Sequence, residues 1–193
     1  MTRWLSHRMV ERGIIKEEEQ ELYQFGIRNG MILLLNVVTA LVIGLLTEQL
    51  AVVAVFTLSF MVLRSYTGGY HSDSRIFCYL GSNLVLLVPV YTQAVFRKTS
   101  TEWLLAVLLV SAGIIFLLSP MHSKNRKLDK EEQKHFGRKA RLIAALELAV
   151  LGILWHAGQI PYAYAVYTGI CITALFMLVG KAQLWIQSHT ENG

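Results

Sequence analysis

The chain has 193 residues, 54% of them hydrophobic and only 16% charged, with a net charge of +5. Soluble domains use about 45–50% apolar and about 25% charged residues, so this composition excludes an ordinary water-soluble domain and places the chain in a bilayer. Neither a nucleic-acid partner nor a metal or cofactor is expected.

Residues 1–29 come first and are amphipathic. Trp4, Leu5, Met9, Ile14, Ile15, Leu22, Tyr23 and Phe25 alternate with arginines and the run Glu17-Glu18-Glu19, the pattern of a segment lying on a membrane surface. Gly13 is expected to break it in two. The start is too polar for a cleavable signal, which needs a short basic region followed by an apolar run.

Residues 30–185 are expected to form an all-α membrane domain of six transmembrane helices. The apolar stretches are roughly Gly30–Leu46, Leu50–Leu63, Cys78–Phe96, Trp103–Ser119, Leu142–His156 and Ile160–Trp185. The first two are each shorter than the ~20 residues that cross about 30 Å of hydrocarbon. Joined, they would make a helix of on the order of 50 Å, too long for one crossing. A tight hairpin at Thr47-Glu48-Gln49 resolves this, provided that the second helix continues through Ser65 and Tyr66 towards Gly68-Gly69. Residues 186–193 remain as a short tail.

Basic residues give the orientation, because Lys and Arg accumulate on the cytoplasmic side. With the N-terminus inside, all of the 18 Lys and Arg except Arg97 and Lys98 fall in cytoplasmic segments. Both termini, the segment 64–78 and the loop 121–141 are then cytoplasmic. Residues 121–141 hold eight basic and three acidic side chains, a surplus equal to the +5 of the whole chain. Such a loop can steer an acidic peptide, or serve only to orient the chain and touch anionic lipid.

The chemistry lies in Arg64-Ser-Tyr-Thr-Gly-Gly-Tyr-His71-Ser-Asp-Ser-Arg-Ile-Phe-Cys78. A thiol becomes a strong nucleophile as thiolate, and an imidazole within reach can take its proton. In one straight helix His71 and Cys78 would sit about 10 Å apart along the axis, so the segment must fold back. Gly68-Gly69 permits this. Ser72, Asp73 and Ser74 are each good N-caps for a helix starting near Arg75. Cys78 then lies in the first turn or so, where unpaired N–H groups and the positive dipole end favour an anion. Asp73 can orient the imidazole or simply cap the helix. Arg64 can pair with Asp73, hold a substrate carboxylate or snorkel to the headgroups.

Other polar groups read as structural. Cys171 is a small packing residue, and the two cysteines make no disulfide framework. Glu147, a carboxylate inside the fifth stretch, is a functional candidate by default, although pairing with a cation of the basic loop is the favoured reading. Asn36, Asn83 and Gln93 read as interhelical hydrogen-bonders, and Pro89 as a kink.

The arginine, the glycine pair, His71 and Cys78 seven residues on, opening a span of a six-span chain, resemble the AgrB family of quorum-sensing peptide processors. Ser119-Pro120 followed by a basic run, and the amphipathic start, extend the likeness over nearly the whole chain. The resemblance implies a cysteine-type membrane endopeptidase of the bacterial cell membrane, acting at the cytoplasmic face. Cys78 would be the nucleophile and His71 the base, with Asp73, Arg64 and Gly69 supporting them. The substrate would be a short amphipathic precursor peptide whose acidic C-terminal tail meets Lys124, Arg126, Lys127 and Lys130. Cleavage through a thioester would lead to a thiolactone or lactone, and the resemblance also implies a homodimer among membrane lipids. Two readings from other classes stand beside it: a small membrane peptide transporter with residues 64–78 as a gating loop, and a non-enzymatic membrane adaptor.

Overall fold

The computed structural model describes residues 2–68, 75–121 and 130–190, and among these every regular element is helical. Two compact units emerge, Met1–Thr39 and Ala40–Gly193.

In the first unit, α1 (Thr2–Glu11) ends at Gly13, whose φ is 67°. There the Gly13 amide donates to the Val10 carbonyl and the Ile14 amide to the Met9 carbonyl, both at 2.9 Å. This paired closure of a helix C-terminus needs a left-handed residue, and glycine adopts that conformation without a Cβ penalty. The break is where the sequence places it. A 3-10 turn over Glu17–Glu19 leads into α2 (Gln20–Leu46). Through residue 29, α2 runs unbroken into the apolar stretch. Gly26 and Gly30 weaken a helix by about 1 kcal/mol each, too little to interrupt one with so long an apolar continuation.

In the second unit, the α2 end turns tightly into α3 (Leu50–Thr67). Glu48 takes φ 56°, and the Gln49 amide reaches back to the Gly44 carbonyl at 2.9 Å. Gly44 is needed at this hairpin, since a Cβ there would lie 2.8 Å from the Leu50 Cα. Next come α4 (Arg75–Tyr91), α5 (Gln93–Lys98), α6 (Thr101–Leu118), α7 (Lys130–His156) and α8 (Ile160–Thr190). A second tight turn joins α7 to α8, with Gly158 at φ 72° and the Gln159 amide on the Leu154 carbonyl.

The central helix is α8, against which α3, α6 and α7 pack. Its Ala163, Ala165, Gly169 and Ala174 let these neighbours approach closely, as membrane helices require when apolar burial no longer drives association. At Gly169 a Cβ would stand 2.6 Å from the Ser59 hydroxyl of α3. Leu63, Ile115, Ile170 and Met177 fill one core cluster; Val53, Phe56, Leu86 and Ala165 fill another beside α4. Large apolar side chains such as Leu45, Leu46, Leu109 and Leu117 instead point outward and are exposed. A surface this apolar suits lipid and not water.

Among the described residues, four helices are long and apolar enough to cross a membrane: Glu17–Leu46, Leu50–Thr67, Thr101–Leu118 and Ile160–Ile186. The second of these reaches its length through Ser65 and Tyr66, as expected. The other two predicted stretches differ in form. The third breaks at Thr92, three residues past Pro89, leaving a shorter apolar helix over Tyr79–Tyr91. The fifth is the apolar half of α7, whose first half carries five of the eight basic residues of 121–141: Lys130, Lys134, Arg138, Lys139 and Arg141.

Candidate functional site

The last turn of α3 leads directly to the glycine pair. Gly68 has φ 73° and ψ −153°, and a Cβ there would lie 2.6 Å from the Met121 carbonyl oxygen. Backbone conformation and space therefore both demand glycine. The Arg64 guanidinium donates through Nη1 to the Gly68 carbonyl at 2.8 Å, and its Cζ lies 5.0 Å from the centre of the Phe176 ring. Arg64 thus closes the end of α3 and stacks on α8, a role beside the three that the sequence offered for it. Thr67 is fully buried, and its carbonyl accepts the Met121 amide at 2.9 Å.

Met121 opens the basic loop, so this bond ties the entry of segment 64–78 to the entry of loop 121–141. The far side of the loop is also anchored. Gly137 of α7 sits against Pro120, where a Cβ would be 3.0 Å from the proline Cδ. Phe136 meets Tyr66 with ring centres 6.3 Å apart, and Lys139 Nζ lies 5.9 Å from the Tyr66 ring. Arg141 Nε donates to the Phe116 carbonyl at 3.2 Å. That carbonyl is among the last four of α6, which have no partner within their own helix and attract cations. The basic half of α7 is thus a packed helix, docked on the ends of α3 and α6.

Cys78 is the fourth residue of α4, within its first turn, as the spacing predicts. The backbone of Lys130 begins α7. The side chains of Cys78 and Lys130 lie outside the described residues, as do Gly69, His71, Asp73, Lys124, Arg126 and Lys127 altogether. Cys171 is a free thiol within α8, beside Ser111 and Tyr167. Glu147 accepts a hydrogen bond from the Ser59 hydroxyl at 2.9 Å. Its partner among the described residues is therefore a hydroxyl of α3 and not a cation. Sequence reasoning missed Tyr66, Thr67, Gly137 and Ser59. Gly137 alone carried a signal, as a lone glycine in a helical pattern that often marks a close backbone approach.

A family model described as Accessory gene regulator B matches residues 1–178. The chain belongs to the AgrB family. That membership, with its long apolar helices, marks this AgrB-family chain as a membrane protein. It is 24% identical over 131 residues to AgrB-like proteins of two Clostridium perfringens strains, SM101 and 13. Those alignments cover 65% of this chain and 61% of each relative, so the chain spans about three fifths of their length. It is 25% identical over 156 residues to the accessory gene regulator protein B of Staphylococcus intermedius, covering 79% of this chain and 80% of that one. No solved structure matches the chain.

Proposed function

We propose that this AgrB-family protein is a membrane cysteine endopeptidase with Cys78 as nucleophile and His71 as base. The observation that supports this reading is the Met121–Thr67 bond, which ties the end of α3, four residues before His71 in sequence, to the residue that opens the basic loop. The Cys78 position in the first turn of α4 supports it further, since orphan N–H groups there stabilise an anion.

His71 takes the thiol proton, and the thiolate attacks a carbonyl of a precursor peptide. The C–N bond breaks, His71 returns the proton to the leaving amine, and the acidic tail departs. The precursor remains as a thioester on Cys78. An internal thiol or hydroxyl of the precursor then attacks, closing a thiolactone or lactone and freeing Cys78. Asp73 orients the imidazole, and Gly69 with Arg64 shapes the turn before it. Lys124, Arg126, Lys127 and Lys130 receive the tail. The chain crosses the bacterial cell membrane six times with both termini and the site on the cytoplasmic side, and works as a homodimer.

The reading is tested through His71. His71→Ala should leave the protein inserted but slow the labelling of Cys78 by iodoacetamide at neutral pH, with the Cys171→Ala background removing the second thiol. Labelling at the unaltered rate would show that His71 does not activate Cys78.

A further inference from the structure

At the end of the bundle remote from Met121, α6, α7 and α8 leave a groove of about 220 Å³ between them. Its walls are almost wholly carbon, supplied by Phe96, Leu105, Leu108, Leu148, Gly152 and Trp155 among others. From Thr101 to Leu108 on α6, and from Trp155 to Leu148 on α7, the lining descends seven residues, about 10 Å of helix. The wall is preformed. Phe96 meets Trp155 edge-on at 6.0 Å, and packs on Tyr164 at 4.5 Å and Tyr167 at 5.3 Å. Gly152 keeps the space open, because a Cβ built there meets nothing within 4 Å.

The mouth of the groove differs in character. Tyr91, Trp103 and Trp155 gather at this end of their helices, and such aromatic side chains mark headgroup depth. Arg97 and Lys98 form the last turn of α5, between the lining residues Phe96 and Thr101. Both are exposed, and neither has an ion pair among the described residues. Glu102, exposed in the first turn of α6, offsets one of the two charges and leaves a positive surplus. An apolar groove running about 10 Å along membrane helices, with two exposed cations in the turn that follows its lining residue Phe96, has the chemistry of a lipid site and not of a peptide site. A peptide would need backbone partners that these walls lack.

We infer that this groove holds one acyl chain of an anionic phospholipid whose phosphate is met by Arg97 and Lys98. The site is independent of the peptidase chemistry, at the opposite end of the bundle from Cys78.

The full-length protein with Trp4, Trp103 and Trp185 replaced by phenylalanine retains Trp155 as a reporter on the groove wall. It is reconstituted in phosphatidylcholine vesicles containing increasing chain-brominated phosphatidylglycerol, or chain-brominated phosphatidylcholine for comparison. Trp155 quenching by the anionic lipid should reach half-maximum at a mole fraction lower by about fivefold for each cation engaged. Arg97→Gln with Lys98→Gln should abolish that difference while bromine still quenches. Gly152→Leu, which fills open space, should remove the saturable quenching while circular dichroism shows the helices intact. Identical curves for the two lipids in the parent protein would overturn the site, and so would an unchanged anionic-lipid curve in Gly152→Leu. Quenching that falls as the protein-to-lipid ratio rises would assign the groove to a second copy of the chain, and overturn it equally.

Discussion

The Met121 amide donates to the Thr67 carbonyl at 2.9 Å, joining the last residue of α3 to the first residue after Ser119-Pro120. Two segments far apart in the chain are thereby fixed at one point.

Gly68 is the most constrained position at this junction. Alanine there would take a positive φ, at a cost of on the order of 1–3 kcal/mol, and its Cβ would overlap the Met121 carbonyl. Gly68→Ala should lower both the unfolding midpoint in detergent and the rate of precursor cleavage, the latter by about 10²-fold as the segment shifts. Gly81→Ala is the control, because a Cβ at Gly81 meets nothing within 4 Å. Matched cleavage rates for the two variants would mean that the junction does not position the site.

The Ser59–Glu147 bond links α3 to α7 inside the bundle, so it should be measurable as coupling. In a double-mutant cycle of Ser59→Ala and Glu147→Met, whose thioether replaces the acceptor oxygens, read by unfolding in detergent, the coupling should be about 0.6–1.7 kcal/mol. Strictly additive effects would indicate that the two side chains do not support each other.

The helices and turns were largely legible in the sequence, because apolar runs and turn residues are local signals. Gly13 marked the break after α1, and Thr47-Glu48-Gln49 marked the hairpin between α2 and α3. The continuity of α2 was hidden, since a polar start and two glycines resemble a boundary until the length of the apolar continuation is weighed. Tertiary partners were not legible. Ser59 and Glu147 lie 88 positions apart, and no spacing rule pairs a hydroxyl with a carboxylate over that distance. The Thr67–Met121 bond is between backbone groups, which carry no residue-type signal at all. The proposed His71–Cys78 pair could be found by inspection for the opposite reason. A histidine and a cysteine stand out in a chain with few polar residues, and the start of α4 at Arg75 is signalled by Ser72, Asp73 and Ser74.

The basic loop makes a kinetic prediction. Exposed charges that recruit an acidic tail are screened by salt, as the Debye length falls from about 8 Å at physiological ionic strength to about 3 Å at 1 M. Reversing Lys124, Arg126, Lys127 and Lys130 to glutamate should raise the KM for the precursor far more than it lowers the single-turnover rate, as for binding lost equally in ground and transition states. Parent activity should fall with added salt and the variant's should hardly change. Topology is mapped in the same variant, because cytoplasmic positive charge also directs insertion. An inserted variant with unchanged KM and unchanged salt response would leave the loop as an orientation signal only.

The central claim is a thioester on Cys78, and intact-mass analysis of the reconstituted protein tests it most directly. A precursor whose internal cysteine or serine is replaced by alanine cannot cyclise, so the acyl-enzyme should accumulate. The expected result is an added mass equal to the precursor without its acidic tail, present in Cys171→Ala, absent in Cys78→Ala and removed by neutral hydroxylamine. Tail release that persists in Cys78→Ala, with no adduct on any form of the protein, would contradict the account.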